Sequence, residues 1–199
     1  MTNSSLPYPL ILASTSPYRK EVLKRLLLPF ECFSPHVDET PHPQEMPTNL
    51  VGRLAELKAR SAENHHPHSL IIGSDQVAVI GDTILGKPIT HERAVQQLQM
   101  LSGQQVDFLT GLCVYNAHTR NCQIDVIRFG VIFRQLSFKQ IENYLKLEQP
   151  YHCSGSFKSE GLGIILLERM LGSDPTAIIG LPLIRLIRML EHEGIHPIG

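Results

Sequence analysis

The chain has 199 residues, of which 42% are hydrophobic and 19% charged, a balance that excludes a disordered chain and is enough to bury a sizeable core. Its 18 basic and 19 acidic residues leave a net charge of −1, which disfavours binding to a nucleic-acid duplex through bulk charge, so no nucleic-acid partner is expected. No apolar run approaches the roughly 18 residues of a membrane span, so no membrane partner is expected.

Met1 to Pro9 has no basic region, so no secretory leader is expected and the cytoplasm is the expected compartment. Residues 1–8 are expected to be flexible. Leu10 to Ala13 predicts a short strand, closed by Ser14-Thr15-Ser16-Pro17. Hydroxyls before a proline are the signal of a capped helix start. The helix that follows places Val22, Leu23, Leu26 and Leu27 on one face, and Pro29 ends it. Phe30 to Phe33 predicts a second strand. A proline-rich loop runs from Pro35 to Pro47 and holds Asp38, Glu39 and Thr40. A second helix is predicted from Thr48 to Glu63. His65-His66-Pro67-His68 reads as an exposed loop, because Pro67 breaks any helical metal-ligand spacing.

Leu70 to Ile80 predicts a strand apolar on both faces, interrupted by Ser74-Asp75-Gln76. Gly81-Asp82 is a turn signal and Thr83 to Leu85 the returning hairpin strand. Thr90 caps a helix with Ala94, Val95, Leu98 and Leu101 on its inner face. Two long strands lie between Gly103 and Arg134, around a turn at Asn116 to Asn121. Ser137 and Gln140 form a capping box. Residues 150–163 read as irregular, Ile164 to Leu167 as a strand, and Gly180-Leu181-Pro182 as the opening of a last helix. This order predicts an α/β protein around a mixed sheet, with residues 1–199 as one domain. Cys32, Cys113, Cys122 and Cys153 lack CxxC spacing, which argues against a zinc ribbon, and read as four reduced thiols.

Three places could carry chemistry. Ser14 to Lys20 joins a strand to a helix N-terminus, where free N–H groups attract phosphate, and adds hydroxyls with Arg19 and Lys20. An ordinary capped helix would look the same. Lys58 continues the apolar face of Leu54 and Val51, so its ammonium must snorkel outward or meet an anion. Asp75 is a carboxylate inside a covered strand, costly unless it is paired or holds a cation. Together with Asp38, Glu39 and Lys87, these groups match a phosphate-transfer inventory: carboxylates for a divalent cation and basic groups for a polyphosphate.

The motifs Leu12-Ala13-Ser14-Thr15-Ser16-Pro17-Tyr18-Arg19, Val37-Asp38-Glu39-Thr40, Leu54-Ala55-Glu56-Leu57-Lys58-Ala59 and Gly73-Ser74-Asp75-Gln76-Val77 resemble those of the Maf family of nucleoside triphosphate pyrophosphatases. So do Gly86-Lys87-Pro88, Leu101-Ser102-Gly103, Gly155-Ser156-Phe157-Lys158-Ser159-Glu160-Gly161 and Gly180-Leu181-Pro182. The resemblance implies an elongated mixed sheet flanked by helices, in two lobes around a nucleotide cleft, similar to the inosine triphosphate pyrophosphatases. It implies cleavage between the α and β phosphates, with Asp75 as catalytic carboxylate. Glu39 and Asp75 would hold a divalent cation, Mg²⁺ or Mn²⁺. Ser14, Arg19, Lys58 and Lys87 would bind phosphate. A homodimer is a further expectation from the family.

Three positions point to a branch. Relatives acting on dTTP and UTP have Arg, Thr and Gln at the positions of Tyr18, Gln76 and Glu160. This chain resembles the branch that prefers 7-methyl-GTP, which has Trp, Gln and Glu there; Tyr18 is the one departure. An aromatic ring could stack on the cationic methylated base, at about 0.5–2 kcal/mol, and Glu160 could accept from its N–H edge. The alternatives are a dTTP or UTP pyrophosphatase and a non-catalytic nucleotide-binding regulator of septum formation.

Overall fold

Strand β1, Leu10–Ala13, is wholly buried and runs straight into helix α1, Pro17–Lys24. In this computed structural model residues 6–81 and 83–198 are described; residues 1–5 and Asp82 of the expected turn lie outside them. Leu6 and Tyr8 are partly buried and pack against the core cluster that holds Leu10 and Leu12. Ser16 caps α1 by accepting from Arg19 N at 3.4 Å. The helix ends at Lys24, before the expected stop at Pro29. Leu27 takes a positive φ of 55° and is 91% exposed, so it is not on the buried face predicted for it. Val22 and Leu23 supply the buried face of the helix, and Leu26, just past its end, packs against the same core.

Strand β2, Glu31–Phe33, pairs parallel with β1. Helix α2, Pro47–Arg60, stops three residues short of the predicted Glu63. Strand β3, Leu70–Ile80, falls where the continuous apolar run placed it and pairs parallel with β1 and antiparallel with β4, Thr83–Leu85. Helix α3, His91–Leu101, is capped by Thr90. The long strands β5, Gln105–Asn116, and β6, Cys122–Phe133, form an antiparallel ribbon beside β3. Helix α4, Phe138–Glu148, has the predicted capping box.

The strand expected at Ile164 to Leu167 is displaced. Leu162–Leu166 winds into a 3₁₀ turn, and strand β7, Leu167–Leu171, begins where that turn ends. β7 is an edge strand whose residues are mostly exposed, so the run of buried apolar residues did not mark it. Helix α5, Leu183–His192, follows Pro182. Its first N–H groups are capped from a distance: Leu183 N donates to Thr176 Oγ1 at 2.7 Å and Ile184 N to Asp174 Oδ2 at 2.9 Å.

Among the described residues the sheet has seven strands in the order β2-β1-β3-β5-β6-β7, with β4 on β3. Parallel and antiparallel pairs coexist, so the predicted mixed α/β sheet is the observed one. Two cores occupy opposite ends of the long strands. One joins Leu12, Leu70 and Leu112 to α1 and α5. The other joins Phe108, Phe129 and Phe133 to α3 and α4. On the opposite face of the first lobe, Ile11, Ile71 and Tyr115 meet Ala55 and Ala59 of α2.

Two glycines set the height of α2 above the sheet. A Cβ on Gly73 would overlap Ala55 O, and one on Gly111 would overlap Val51 O. Only bare backbone lets the helix approach this closely. Lys58 is therefore carried down onto the middle of β3.

Candidate functional site

On one edge, β3 changes partner partway along its length. Residues 70–73 pair with β1 and residues 78–80 with β4. Residues 74–77 have neither neighbour on that side, and a cleft opens there. Ligand sites in open α/β sheets form at such breaks in strand order. The cleft has a volume of about 710 Å³ and takes walls from both lobes. That is within the usual range for a small-molecule site.

Alternation along β3 sorts the polar break. Asp75 shares the face of Ile71 and Gly73, beneath α2; Ser74 and Gln76 point to the other face. Lys58 Nζ donates to Asp75 Oδ1 at 2.6 Å and lies 2.7 Å from Glu39 Oε1. The side chains of Lys58 and Asp75 are 8% and 11% exposed, that of Glu39 59%. Lys58 therefore meets an anion and does not snorkel. Burial alone would raise the Glu39 carboxyl, but the hydrogen bond and charge of Lys58, with Lys87 and Arg19 nearby, hold it below its ordinary value.

Ser14 is buried at the C-terminal end of β1. Its Oγ accepts from Ser16 N at 3.1 Å and Arg19 Nη1 at 3.5 Å. With both lone pairs engaged, its hydroxyl hydrogen is free to donate. Arg19 Nε donates to Gly180 O at 2.9 Å, which aims the guanidinium into the cleft beside the α1 N-terminus. Burial draws the Arg19 guanidinium down from its usual value, and Asp75 and Glu39 oppose that. Lys87 is exposed on the loop after β4 and lines the cleft from the second lobe. Lys20 is exposed and is not among the lining residues, so the fourth basic group expected for a polyphosphate is absent from the wall.

Gln76 is anchored at its amide nitrogen. Nε2 donates to Thr110 Oγ1 at 2.9 Å and Ala177 O at 2.8 Å, with Ile178 O at 3.2 Å. Two carbonyl acceptors fix the orientation of the amide. Its Oε1 is the atom left for a ligand, and it can only accept. Tyr18 and Glu160 also line the cleft. Burial and Cys153 push the Tyr18 phenol up. Lys158 Nζ lies 5.8 Å from the centroid of the Tyr18 ring, covering one of its faces. The same ammonium is 2.6 Å from Glu148 Oε1, which offsets its charge. Glu148 Oε2 also accepts from Leu162 N at 2.6 Å, so one carboxylate pins the loop that carries Glu160.

All the predicted site residues, Ser14, Tyr18, Arg19, Glu39, Lys58, Asp75, Gln76, Lys87 and Glu160, thus line one cleft. Asp38 does not; its carboxylate accepts from Thr40 N at 2.9 Å and shapes the loop. The roles of Glu148 and of the 177–180 carbonyls had no signal in the sequence, because an acceptor that holds another chain segment has no motif. Among the described residues no three His, Cys, Asp or Glu side chains gather as a ready metal cage. No helix among them is long and apolar enough to cross a membrane. The four cysteines are free, with Cys113 and Cys122 sulfurs 3.5 Å apart.

Comparison with known proteins places this geometry. The family model of Maf-like proteins matches residues 9–193. A protein of Nitrosococcus oceani named 7-methyl-GTP pyrophosphatase is 58% identical over 191 residues, 96% of each chain. Proteins of the same name from Pseudomonas fluorescens and Aliivibrio fischeri are 57% and 56% identical over 187 residues, 94% of this chain and 97% of theirs. A match running from before β1 to the end of α5 takes in every wall of the cleft, and the chain belongs to the Maf-like family.

Proposed function

We propose that the chain is a nucleoside triphosphate pyrophosphatase acting on 7-methyl-GTP. The observation that carries the reaction is the buried Lys58–Asp75 pair, open to a cleft that also presents Ser14, Arg19 and Lys87. The names of its relatives support the substrate.

The triphosphate lies along the α1 N-terminus, where N–H groups, the Ser14 hydroxyl and the Arg19 fork donate to its oxygens. Lys58 and Lys87 supply charge from the two lobes. Asp75 has one oxygen on Lys58 and a second with which to orient a water. That water attacks phosphorus at the α–β bridge and its proton passes to Asp75. The bridging P–O bond breaks, giving 7-methyl-GMP and pyrophosphate. Glu39 and Asp75 both reach the same ammonium, so they are close enough to share one cation. Two carboxylates with substrate phosphates suit Mg²⁺ or Mn²⁺, so these residues fit the implied metal. When bound, the ion would neutralise charge on the transferring phosphate.

The base sits against the free face of Tyr18, since Lys158 covers the other. Gln76 Oε1 and the Glu160 carboxylate are both acceptors, which suits the N–H edge of guanine and the positive charge of its methylated form. Such an enzyme removes a modified nucleotide from the cytoplasmic pool.

The test is pyrophosphate release with Mg²⁺ or Mn²⁺ from 7-methyl-GTP, GTP, dTTP, UTP and ITP. Preference for 7-methyl-GTP, lost in Tyr18→Ala and Glu160→Gln, is the expected result. Preference for dTTP or UTP would overturn the substrate. Asp75→Asn should abolish release while binding persists.

A further inference from the structure

The histidine tract 65–68 reads from sequence as an exposed loop, and its rings face two different ways. His65 and His66 turn to Phe33, with ring centroids 5.1 and 5.9 Å away. His68 turns elsewhere. Its Nδ1 faces Nδ1 of His118, fifty residues along, at 3.3 Å. The two rings are tilted at 52° with centroids 5.4 Å apart, so they are not stacked. Both residues are exposed.

From these atoms we infer a second metal site, a two-histidine chelate for a zinc-type transition ion, formed by His68 Nδ1 and His118 Nδ1. Zinc binds imidazole nitrogen at about 2.0–2.1 Å in tetrahedral geometry, which separates adjacent ligand atoms by about 3.3–3.4 Å. The observed separation is that bite. Imidazole pairs select zinc, copper or nickel, whereas the oxygen donors of the cleft suit Mg²⁺ or Mn²⁺. The two sites therefore differ in the class of ion they take.

The pair is also held in place. His68 directly precedes Ser69 and His118 directly follows Ala117. Ala117 N donates to Ser69 O at 3.0 Å, and the next rung of the ladder pairs Leu70 with Asn116. The Asn116 side chain accepts from His118 N and Thr119 N, each at 3.1 Å, and fixes the turn. The backbone at both ligands is thus set before any ion arrives, which lowers the ordering cost of binding. Two protein ligands leave two positions for water, so the site is open. An ion there would clip the start of β3 to the β5–β6 turn.

The test uses Zn²⁺ alone with the full chain, read by titration calorimetry, thermal unfolding and anomalous scattering at the zinc edge. One site is expected, with an anomalous peak about 2.1 Å from both Nδ1 atoms and a zinc-dependent rise in Tm. His68→Gln and His118→Gln should each weaken that binding at least tenfold and remove the rise, while leaving the zinc-free Tm unchanged. His65→Gln with His66→Gln should bind as the parent does. Equal zinc binding in His68→Gln and His118→Gln, a peak only at the cleft carboxylates or the Cys113–Cys122 sulfurs, or no binding would overturn the inference.

Discussion

Lys58 of α2 and Asp75 of β3 meet at 2.6 Å in a nearly closed setting, and Lys58 holds Glu39 with the same ammonium. One cation thus balances two carboxylates at the break between β1 and β4. Removing it leaves the buried Asp75 charge without a partner, a change that typically costs about 3–5 kcal/mol. Lys58→Met is expected to lower the unfolding free energy by about 3 kcal/mol and to abolish turnover. Lys58→Met with Asp75→Asn should regain part of the stability and none of the activity. Urea unfolding with pyrophosphate release checks both; an unchanged midpoint in Lys58→Met would contradict the pairing.

The seat of α2 makes a separate prediction. Gly111→Ala must push Val51 and its helix away from the sheet, because the added methyl meets backbone. Overpacking of this kind costs about 1–3 kcal/mol. Because α2 carries Lys58, turnover should fall as well. Gly86→Ala, whose Cβ meets nothing within 4 Å, is the control for stability. Equal denaturant midpoints for the two variants would show that α2 has room to move.

Acid should loosen the loop that holds Glu39. Arg53 grips Glu45 with two bonds, at 2.7 and 2.8 Å, and donates to Thr40 O at 3.1 Å. The hydrogen bonds from Arg53 pull the Glu45 carboxyl from its ordinary 4.5 to about 2. Between those values the unfolded chain binds the proton more tightly than the folded one. This contribution is therefore complete above pH 4.5 and is lost as pH falls toward about 2. Glu45→Gln should flatten that part of the profile. Urea midpoints measured across the window decide it, and parallel slopes for parent and variant would contradict the assignment.

Glu148 should act on specificity without touching the nucleotide. It pins Lys158 and Leu162 N on either side of Glu160. Glu148→Gln keeps an acceptor for Leu162 and loses the ion pair, at about 1–3 kcal/mol of stability. The expected kinetic signature is a raised KM for 7-methyl-GTP with a smaller change in kcat. A kcat loss as deep as that of Asp75→Asn would instead place Glu148 in the chemistry.

Much of this was written locally. The continuous apolar run of β3, the Thr90 cap and the Ser137–Gln140 box depend on neighbours within a few residues, and each element stands where those signals put it. The candidate site was legible as residue types: a carboxylate in a covered strand and a lysine on an apolar helix face are costly alone, so each announced that it had a partner. Where several signals competed, local reading failed. Leu27 continued a helical stripe but lies past the end of α1 at a positive φ, exposed, and β7 is an edge strand whose residues are mostly exposed.

The partners themselves were decided only in three dimensions. Nothing near Lys58 in sequence names Asp75; the close approach at Gly73 and Gly111 brings them together. Nothing near Gln76 names Ala177 or Ile178, yet their carbonyls turn its amide so that only an acceptor faces the cleft. Nothing near His68 names His118, which a single rung of β-ladder sets beside it. Sequence determined which residues could not remain solitary, because the cost of burying a charge or exposing a face is local. Tertiary structure decided which of them meet, because contacts between distant segments depend on how the helices seat on the sheet.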